Sequence, residues 1–455
     1  MKLSKLVEHI EYELVQGSLD TEVADIAYDS RKMKEGMLFV AIAGTVVDGH
    51  KYIPDVVKKG ASVLVVEKEI ESIDESITVI RVANGRAALS LLSQANFDYP
   101  ASKMISIGIT GTKGKSTTTY MIRDIIEKSG KTCGIVGTIG VAIAGKVTPT
   151  EHTTPESYDL QRYFKDMVDA GCEYCFMEGS SHAIDQRRIS GLDFDGAIFS
   201  NITHDHLDYH KTFKAYIEAK KAFFDRLPKK AFALTNGDDK NGMVMLQNTV
   251  ARKYTYSCKR MADFNCKTLE RHLDGTLLLL DGSEVWTRFV GDFNAYNLLA
   301  VYASARLLGF EKEELLPVMS MLVPVSGRFE TLISTEGVMA VVDYAHTPDA
   351  VENVLSTICG LKGRDNQVIT VVGAGGDRDK TKRPEMADAA CRYSDHVILT
   401  SDNPRSEDPE QIIRDMLTGV KEGFQYRVEA ITDRKEAIRK AIGMASKGDI
   451  ILVAG

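Results

Sequence analysis

Apolar runs that end in glycine or polar turn residues alternate with helical stretches along almost the whole chain. That alternation is the strongest constraint the sequence imposes. Strands buried on both faces and separated by helices pack as layered α/β units with mostly parallel sheets. Three blocks separate on this pattern. Residues 1–100 hold the runs Met37–Ala43 and Ala61–Val66, a closing helix from Asn84 to Ala95 and a linker at Asp98-Tyr99-Pro100. Residues 101–327 open with the run Lys103–Thr110 and continue through Cys133–Val136, Tyr174–Met177, Gly196–Asn201 and Ala231–Thr235, closing near Pro324–Gly327. Residues 328–455 contain Val338–Asp343, Val368–Val372, His396–Thr400 and Asp449–Val453, the pattern of a smaller doubly wound domain. A length of 455 residues fits this count, since domains average ~150 residues. The chain stops just after an apolar strand, so a further C-terminal segment is expected.

Composition narrows the functions open to such a chain. The formal charge is −8, from 56 basic and 64 acidic residues. General nucleic-acid binding, which rests on neutralising phosphates, is disfavoured. No apolar run approaches the ~20 residues of a membrane helix, and the charged N-terminus lacks a signal-peptide core. A cytoplasmic monomer acting on small molecules, without nucleic acid or membrane insertion, is the expectation. Seven cysteines, an odd number, do not suggest a disulfide framework. Cys172-x-x-Cys175 stands without a second pair and reads as two reduced thiols near a buried strand.

The chemistry concentrates at strand ends. Ile107–Thr118 runs from a strand through Gly111-Thr112-Lys113-Gly114-Lys115-Ser116-Thr117 into a helical pattern. Two glycines let backbone N–H groups converge on phosphate oxygens, and the helix N-terminus adds positive potential. Lys115 is placed to reach the β/γ-phosphates and Ser116 to ligate Mg²⁺. The match to the phosphate-loop pattern is imperfect, with Ile109 where its first glycine stands; a glycine-rich turn with no ligand is the alternative. Phe176–His182 places Glu178 at the end of the next apolar run. Asn201–His210 packs three histidines and two aspartates behind another. That spacing is no zinc signature, and carboxylates with Mg²⁺ and phosphate are the better setting.

The third block repeats the theme. Val371–Pro384 is a strand, a glycine loop and a run of cations in which Arg378 and Arg383 suit carboxylates or phosphates. Asp402 and Arg405 lie just past another strand, a pair suited to a ligand with its own ammonium and carboxylate; a capped loop before the helix at Glu410 is the plainer reading.

Taken together the motifs resemble the Mur ligases of peptidoglycan synthesis, of the UDP-N-acetylmuramoyl-tripeptide synthetase type. They are Tyr28-Asp-Ser-Arg31, Leu38-Phe-Val-Ala41, Asp48-Gly-His50, Gly111–Ser116, His152-Thr-Thr-Pro155, Met177–His182, Asn201–His210, Ala219-Lys220, Gly327-Arg-Phe-Glu330, Asp343–Pro348 and Asp402-Asn-Pro-Arg405, spread over essentially the whole chain. The resemblance implies an α/β fold of three domains: an N-terminal α/β domain for the UDP-sugar, a central phosphate-loop ATPase domain and a C-terminal Rossmann-like domain for the incoming amino acid. It implies that ATP phosphorylates the terminal carboxylate of UDP-N-acetylmuramoyl-L-alanyl-D-glutamate and that a diamino acid attacks the acyl phosphate. Lys115, Lys220 and His206 would be catalytic. Ser116, Glu178, His206 and Lys220 would hold Mg²⁺, with Lys220 carbamylated. Gly111 to Thr117, Asn294, Arg328 and Asp343 would contact ATP. Ser30, Thr153, Thr154, Ser180, Gln186 and Arg188 would contact the UDP-sugar peptide. Arg378, Asp402, Asn403 and Arg405 would bind the amino acid, and Asp-Asn-Pro-Arg resembles the version that selects meso-diaminopimelate, whose distal carboxylate Arg405 can pair. An L-lysine-adding ligase, a folylpolyglutamate synthetase-like enzyme and a non-catalytic nucleotide- or UDP-sugar-binding subunit are the competing readings.

Overall fold

A computed structural model describes residues 1–44, 47–203 and 205–455. His204 and the side chain of Asp208, both in the histidine cluster, lie outside the described residues. The chain divides into two compact units, Met1–Tyr256 and Ser257–Gly455.

The first unit contains two parallel-rich sheets. The N-terminal one has five strands in the order Glu13–Gln16, Thr78–Arg81, Val63–Val66, Leu38–Val40, Ile26–Ala27, with only the first pairing antiparallel. In the larger sheet, Ile105–Thr110 lies between Tyr174–Glu178 and Gly196–Phe199, parallel to both. Cys133–Gly137 flanks one side, and Phe232–Asn236 then Arg252–Ser257 the other. The chain leaves Ile105–Thr110 toward Cys133–Gly137 on one side and leaves the adjacent Tyr174–Glu178 toward Gly196–Phe199 on the other. Such a switch point opens a crevice at the carboxyl ends of the strands. The strands are nearly continuous apolar runs because both faces are covered, as the sequence pattern requires.

The close approach of one helix to this sheet depends on a missing side chain. Gly108 sits in Ile105–Thr110, and a Cβ there would fall 2.2 Å from Cζ of Phe223. Phe223 belongs to the helix Phe213–Asp225, which carries Lys220. A residue larger than glycine at 108 would push that helix, and with it Lys220, off the strand ends.

The second unit has a six-stranded sheet in the order Glu330–Ile333, Met339–Asp343, Ile450–Ala454, Val368–Ala374, His396–Ser401, Val428–Ala430, parallel except for its first edge. It also contains an antiparallel set, Phe264–His272, Gly275–Leu280 and Ser283–Thr287, which the expectation of parallel pairing overlooked. Its alternation of buried and exposed positions is the mark of a sheet with one wet face.

Candidate active site

The loop after Ile105–Thr110 is held in shape by its neighbours. Gly111 has φ +152, and a Cβ on it would meet Ser200 Oγ at 2.0 Å. Gly114 caps the helix Lys115–Lys128 with φ +84. Both are conformations that glycine adopts freely and other residues avoid. Asn201 braces the loop from the end of Gly196–Phe199. Its carbonyl accepts from Thr112 N at 2.8 Å, its Oδ1 accepts from Lys113 N at 3.0 Å, and its Nδ2 donates to the Lys113 carbonyl at 3.0 Å. Ser200 Oγ donates to that same carbonyl at 2.6 Å. Ser116 and Thr117, in the first turn of the helix, are buried. Lys115 Nζ donates to the carbonyls of Gly111 at 3.0 Å and Thr112 at 2.9 Å, so its ammonium lies over the loop.

Lys220 converges on the same loop. It is 1% exposed, and its Nζ donates to the Gly111 carbonyl at 2.9 Å. The Tyr216 ring lies 4.8 Å from the ammonium. Burial, and then the charge of Lys115, hold the Lys220 pKa well below its ordinary value, against a weaker pull from Asp205. His206 joins them with φ +54. Its pKa is lowered to about 4, first by desolvation and then by Lys115, His182 and Lys220, with Asp205 opposing. The imidazole is therefore neutral near pH 7, with a ring nitrogen able to ligate a metal.

Glu178 ends the neighbouring strand fully buried. Its carboxylate accepts from Thr138 N and Thr138 Oγ1, both at 3.0 Å. Gly137 leaves it room, since a Cβ there would fall 2.3 Å from Glu178 Oε1. Among the described residues no cation forms an ion pair with this carboxylate. A buried carboxylate without a counter-charge is costly, and it fits a divalent cation that would supply one. No group of three or more His, Cys, Asp or Glu side chains converges among the described residues.

Around Glu178 the residues assigned to the UDP-sugar peptide form one web. Thr153 Oγ1 lies 3.1 Å from Thr138 Oγ1. Thr154 Oγ1 donates to the Glu178 carbonyl at 2.7 Å and accepts from Ser180 N at 3.2 Å. Arg188, nearly buried, donates to the Thr154 carbonyl at 2.9 Å and to Gln186 Oε1 at 2.8 Å, and pairs with Glu156 at 2.9 Å. Ser30 stands apart in the short helix Ser30–Lys32, where its carbonyl accepts from Lys59 Nζ. No hydrogen bond joins it to the web among the described residues. Thr138, Asn201 and Tyr216 received no role from the sequence. Asn201 sat in a quoted motif, but a brace made by both its backbone and side chain has no linear signature.

In the second unit, Asn294 is buried in the helix Asp292–Leu307, with Nδ2 donating to the Val290 carbonyl at 2.9 Å. Phe293 of that helix packs on Phe329 at 5.6 Å, and Phe329 N donates to Asp343 Oδ2 at 2.8 Å. Arg328 lies 4.6 Å over the Tyr344 ring. These contacts gather Asn294, Arg328 and Asp343 into one neighbourhood. A second neighbourhood forms past Val368–Ala374 and His396–Ser401. Gly376 N donates to the Asn403 carbonyl at 2.9 Å, and Arg405 Nη1 donates to the Gly376 carbonyl at 2.5 Å. The ideal Cβ position on Gly375 is 3.0 Å from Arg405 Nη1 and 3.9 Å from Arg378 Cγ, and that on Gly373 is 3.0 Å from Asp402 Cβ. Arg378, Asp402, Asn403 and Arg405 are thus brought together.

Comparison with known proteins follows the same lines. Family models described as Mur ligase family, catalytic domain; Mur ligase middle domain; and Mur ligase, glutamate ligase domain match residues 22–96, 109–305 and 327–455. A UDP-N-acetylmuramoyl-L-alanyl-D-glutamate–2,6-diaminopimelate ligase of Cytophaga hutchinsonii is 50% identical over 100% of this chain and 94% of its own length. The protein of the same name from Geobacillus kaustophilus is 41% identical with the same coverage. A solved structure of a ligase of that name superposes with a TM-score of 0.72 at 32% identity, covering 100% of this chain and 93% of the other. A folylpolyglutamate synthase of Mycobacterium tuberculosis, complexed with ADP, shares the fold alone, at 17% identity and a TM-score of 0.66 over 81% of this chain and 91% of its own. Among the described residues no helix is long and apolar enough to cross a membrane. With its whole length matched at these levels, the chain belongs to the Mur ligase family of ATP-dependent amide ligases.

Proposed function

We propose that this ligase adds meso-diaminopimelate to UDP-N-acetylmuramoyl-L-alanyl-D-glutamate, forming an acyl phosphate and then an amide. The observation that carries the reading is the convergence of Lys115 and Lys220 on the carbonyls of one glycine loop. Crowding two amines on one loop disfavours charging both: Lys115 is left as the cation for an incoming polyanion, and the charged form of Lys220 is disfavoured.

The chemistry follows from the charges. A carboxylate is inert to an amine, so one carboxylate oxygen first attacks the γ-phosphorus and ADP leaves. The amine then attacks the acyl carbon, the C–N bond forms, and inorganic phosphate leaves with the C–O bond electrons while the ammonium proton passes to solvent. Lys115 would neutralise the triphosphate that the carboxylate must approach. Ser116, Glu178, His206 and Lys220 would hold Mg²⁺, which when bound supplies further charge neutralisation between the two anions. Burial and the charge of Lys115 shift Lys220 toward the uncharged amine, the form that reacts with carbon dioxide. The nitrogen lone pair bonds to the carbon, a proton is released, and the amine becomes an anionic carbamate suited to a metal. Thr153, Thr154, Ser180, Gln186 and Arg188, with Ser30, would bind the UDP-sugar peptide. Asn294, Arg328 and Asp343 would contact the nucleotide. Arg378, Asp402, Asn403 and Arg405 would bind the amino acid, the Arg405 guanidinium pairing its distal carboxylate. Residues 1–100, 101–327 and 328–455 would be the corresponding domains.

Selectivity favours diaminopimelate over lysine because lysine would leave the Arg405 cation facing an ammonium. ADP release is to be measured with the UDP-sugar dipeptide and each diamino acid. Diaminopimelate turnover is expected to dominate; faster turnover with L-lysine rejects the assignment.

A further inference from the structure

The acceptor loops are strained, and something must hold them. Asp377 and Arg405 both have positive φ, +52 and +50, without being glycine. Such conformations persist only where surrounding contacts over-determine them. The contacts meet at Arg383, which is 1% exposed in the helix Lys382–Tyr393. Its guanidinium grips both oxygens of Glu407, at 3.0 and 2.8 Å, and Asp415 at 2.7 Å, and also reaches the Gly375 carbonyl at 3.3 Å. Glu407 in turn accepts from Asp377 N at 2.6 Å and pairs with Lys380 at 3.1 Å. The Asp377 carboxylate accepts from Ser406 Oγ at 2.7 Å and Ser406 N at 3.2 Å. Gly376 lets the loops touch, since a Cβ there would fall 1.8 Å from the Pro404 carbonyl oxygen.

We infer that Arg383 is a positioning residue for the acceptor amino acid, cross-bracing the loop that carries Arg378 to the loop that carries Asp402, Asn403 and Arg405. The inference rests on reading those loops as the acceptor site. Arg383 is spent on internal carboxylates and would touch no substrate. Its planar fork spans Glu407 and Asp415 together, which an ammonium cannot do. Loosening the brace lets Arg378 and Arg405 drift relative to each other. Binding of the acceptor suffers, and the acceptor-independent formation of acyl phosphate does not.

The test uses the full chain with Arg383→Lys and, because a buried change can impair folding, Asp377→Ala at an exposed point of the same brace. Folding is checked by thermal melting, and kcat and KM are measured for each of the three substrates. Acyl phosphate is trapped with hydroxylamine in the absence of acceptor; the hydroxylamine nitrogen attacks the acyl carbon, and hydroxamate and phosphate result. Acceptor KM should rise about tenfold in Arg383→Lys and about threefold in Asp377→Ala. Hydroxamate yield, the ATP KM and kcat at saturating acceptor should stay within about twofold. Unchanged acceptor KM in either folded variant overturns the inference, as does a parallel fall in every constant. If the unaltered chain yields no hydroxamate, the ligase reading fails first and carries this one with it.

Discussion

Lys220 and Arg383 are both basic residues only 1% exposed, yet their surroundings differ in kind. Lys220 meets two oxygens that carry no formal charge, the Gly111 carbonyl and, at 3.4 Å, the Thr110 hydroxyl, with Lys115 close enough to depress its pKa. Arg383 meets two carboxylates, and its pKa is raised, chiefly by the hydrogen bonds to Glu407. A buried charge without a partner is a site awaiting chemistry, whereas a buried charge with its partners in place is part of the frame. Arg405 lies between the two: it is exposed, held by one carbonyl, and in no ion pair among the described residues, which leaves it able to take a carboxylate.

The sharpest way to break this comparison is to remove each cation. Lys220→Met should lower kcat by about a thousandfold, the scale of losing a charge that acts on the transition state. The melting temperature should stay level or rise, because methionine fills the same space without an uncompensated charge. A clear drop in melting temperature would make Lys220 a structural residue after all. Arg405→Ala should cost about a hundredfold in kcat/KM for diaminopimelate, the worth of a charge-assisted pair. The loss for L-lysine should be much smaller, as measured by competing the two acceptors.

Arg383→Met should do the reverse of Lys220→Met. Deleting one member of a fully buried pair typically costs about 3–5 kcal/mol. Here about 2 kcal/mol is expected, because Glu407 and Asp415 keep some contact with water and screen the loss. Denaturant unfolding of the second unit reads it directly, while hydroxamate trapping by the folded protein should be unaffected.

Which of these charges was legible beforehand follows from the same contrast. The strands of the parallel sheets, Glu178 at a strand end and the glycine loop were all readable, because apolar runs, turns and spacing are local properties. Lys220 was legible only through a family motif, since the burial that depresses its pKa comes from Gly108, 112 positions away, admitting Phe223. Arg383 was recognisable as a cation suited to carboxylates. That its carboxylates are internal could not be read, because Glu407 and Asp415 lie 24 and 32 positions on and meet it only when the loops fold. The antiparallel set from Phe264 to Thr287 was overlooked because its first strand, Phe264–His272, is mostly polar and carries no apolar run.

The smallest expected effect comes from acid. The hydrogen bonds from Arg383, then from Asp377 N and Lys380, lower the Glu407 pKa to about 2; in the unfolded chain it returns to about 4.3. The folded state therefore binds fewer protons than the unfolded one between these values. The stabilisation is complete above the unfolded value and fades as pH falls toward the folded one. Glu407→Gln keeps the shape and removes the titration. At pH 7 it should melt slightly below the unaltered chain. That gap should narrow steadily as the pH is lowered from 5 to 3. A gap that stayed constant over that range would mean Glu407 braces the loops by shape alone, and the charge on Arg383 would then matter less than its fork.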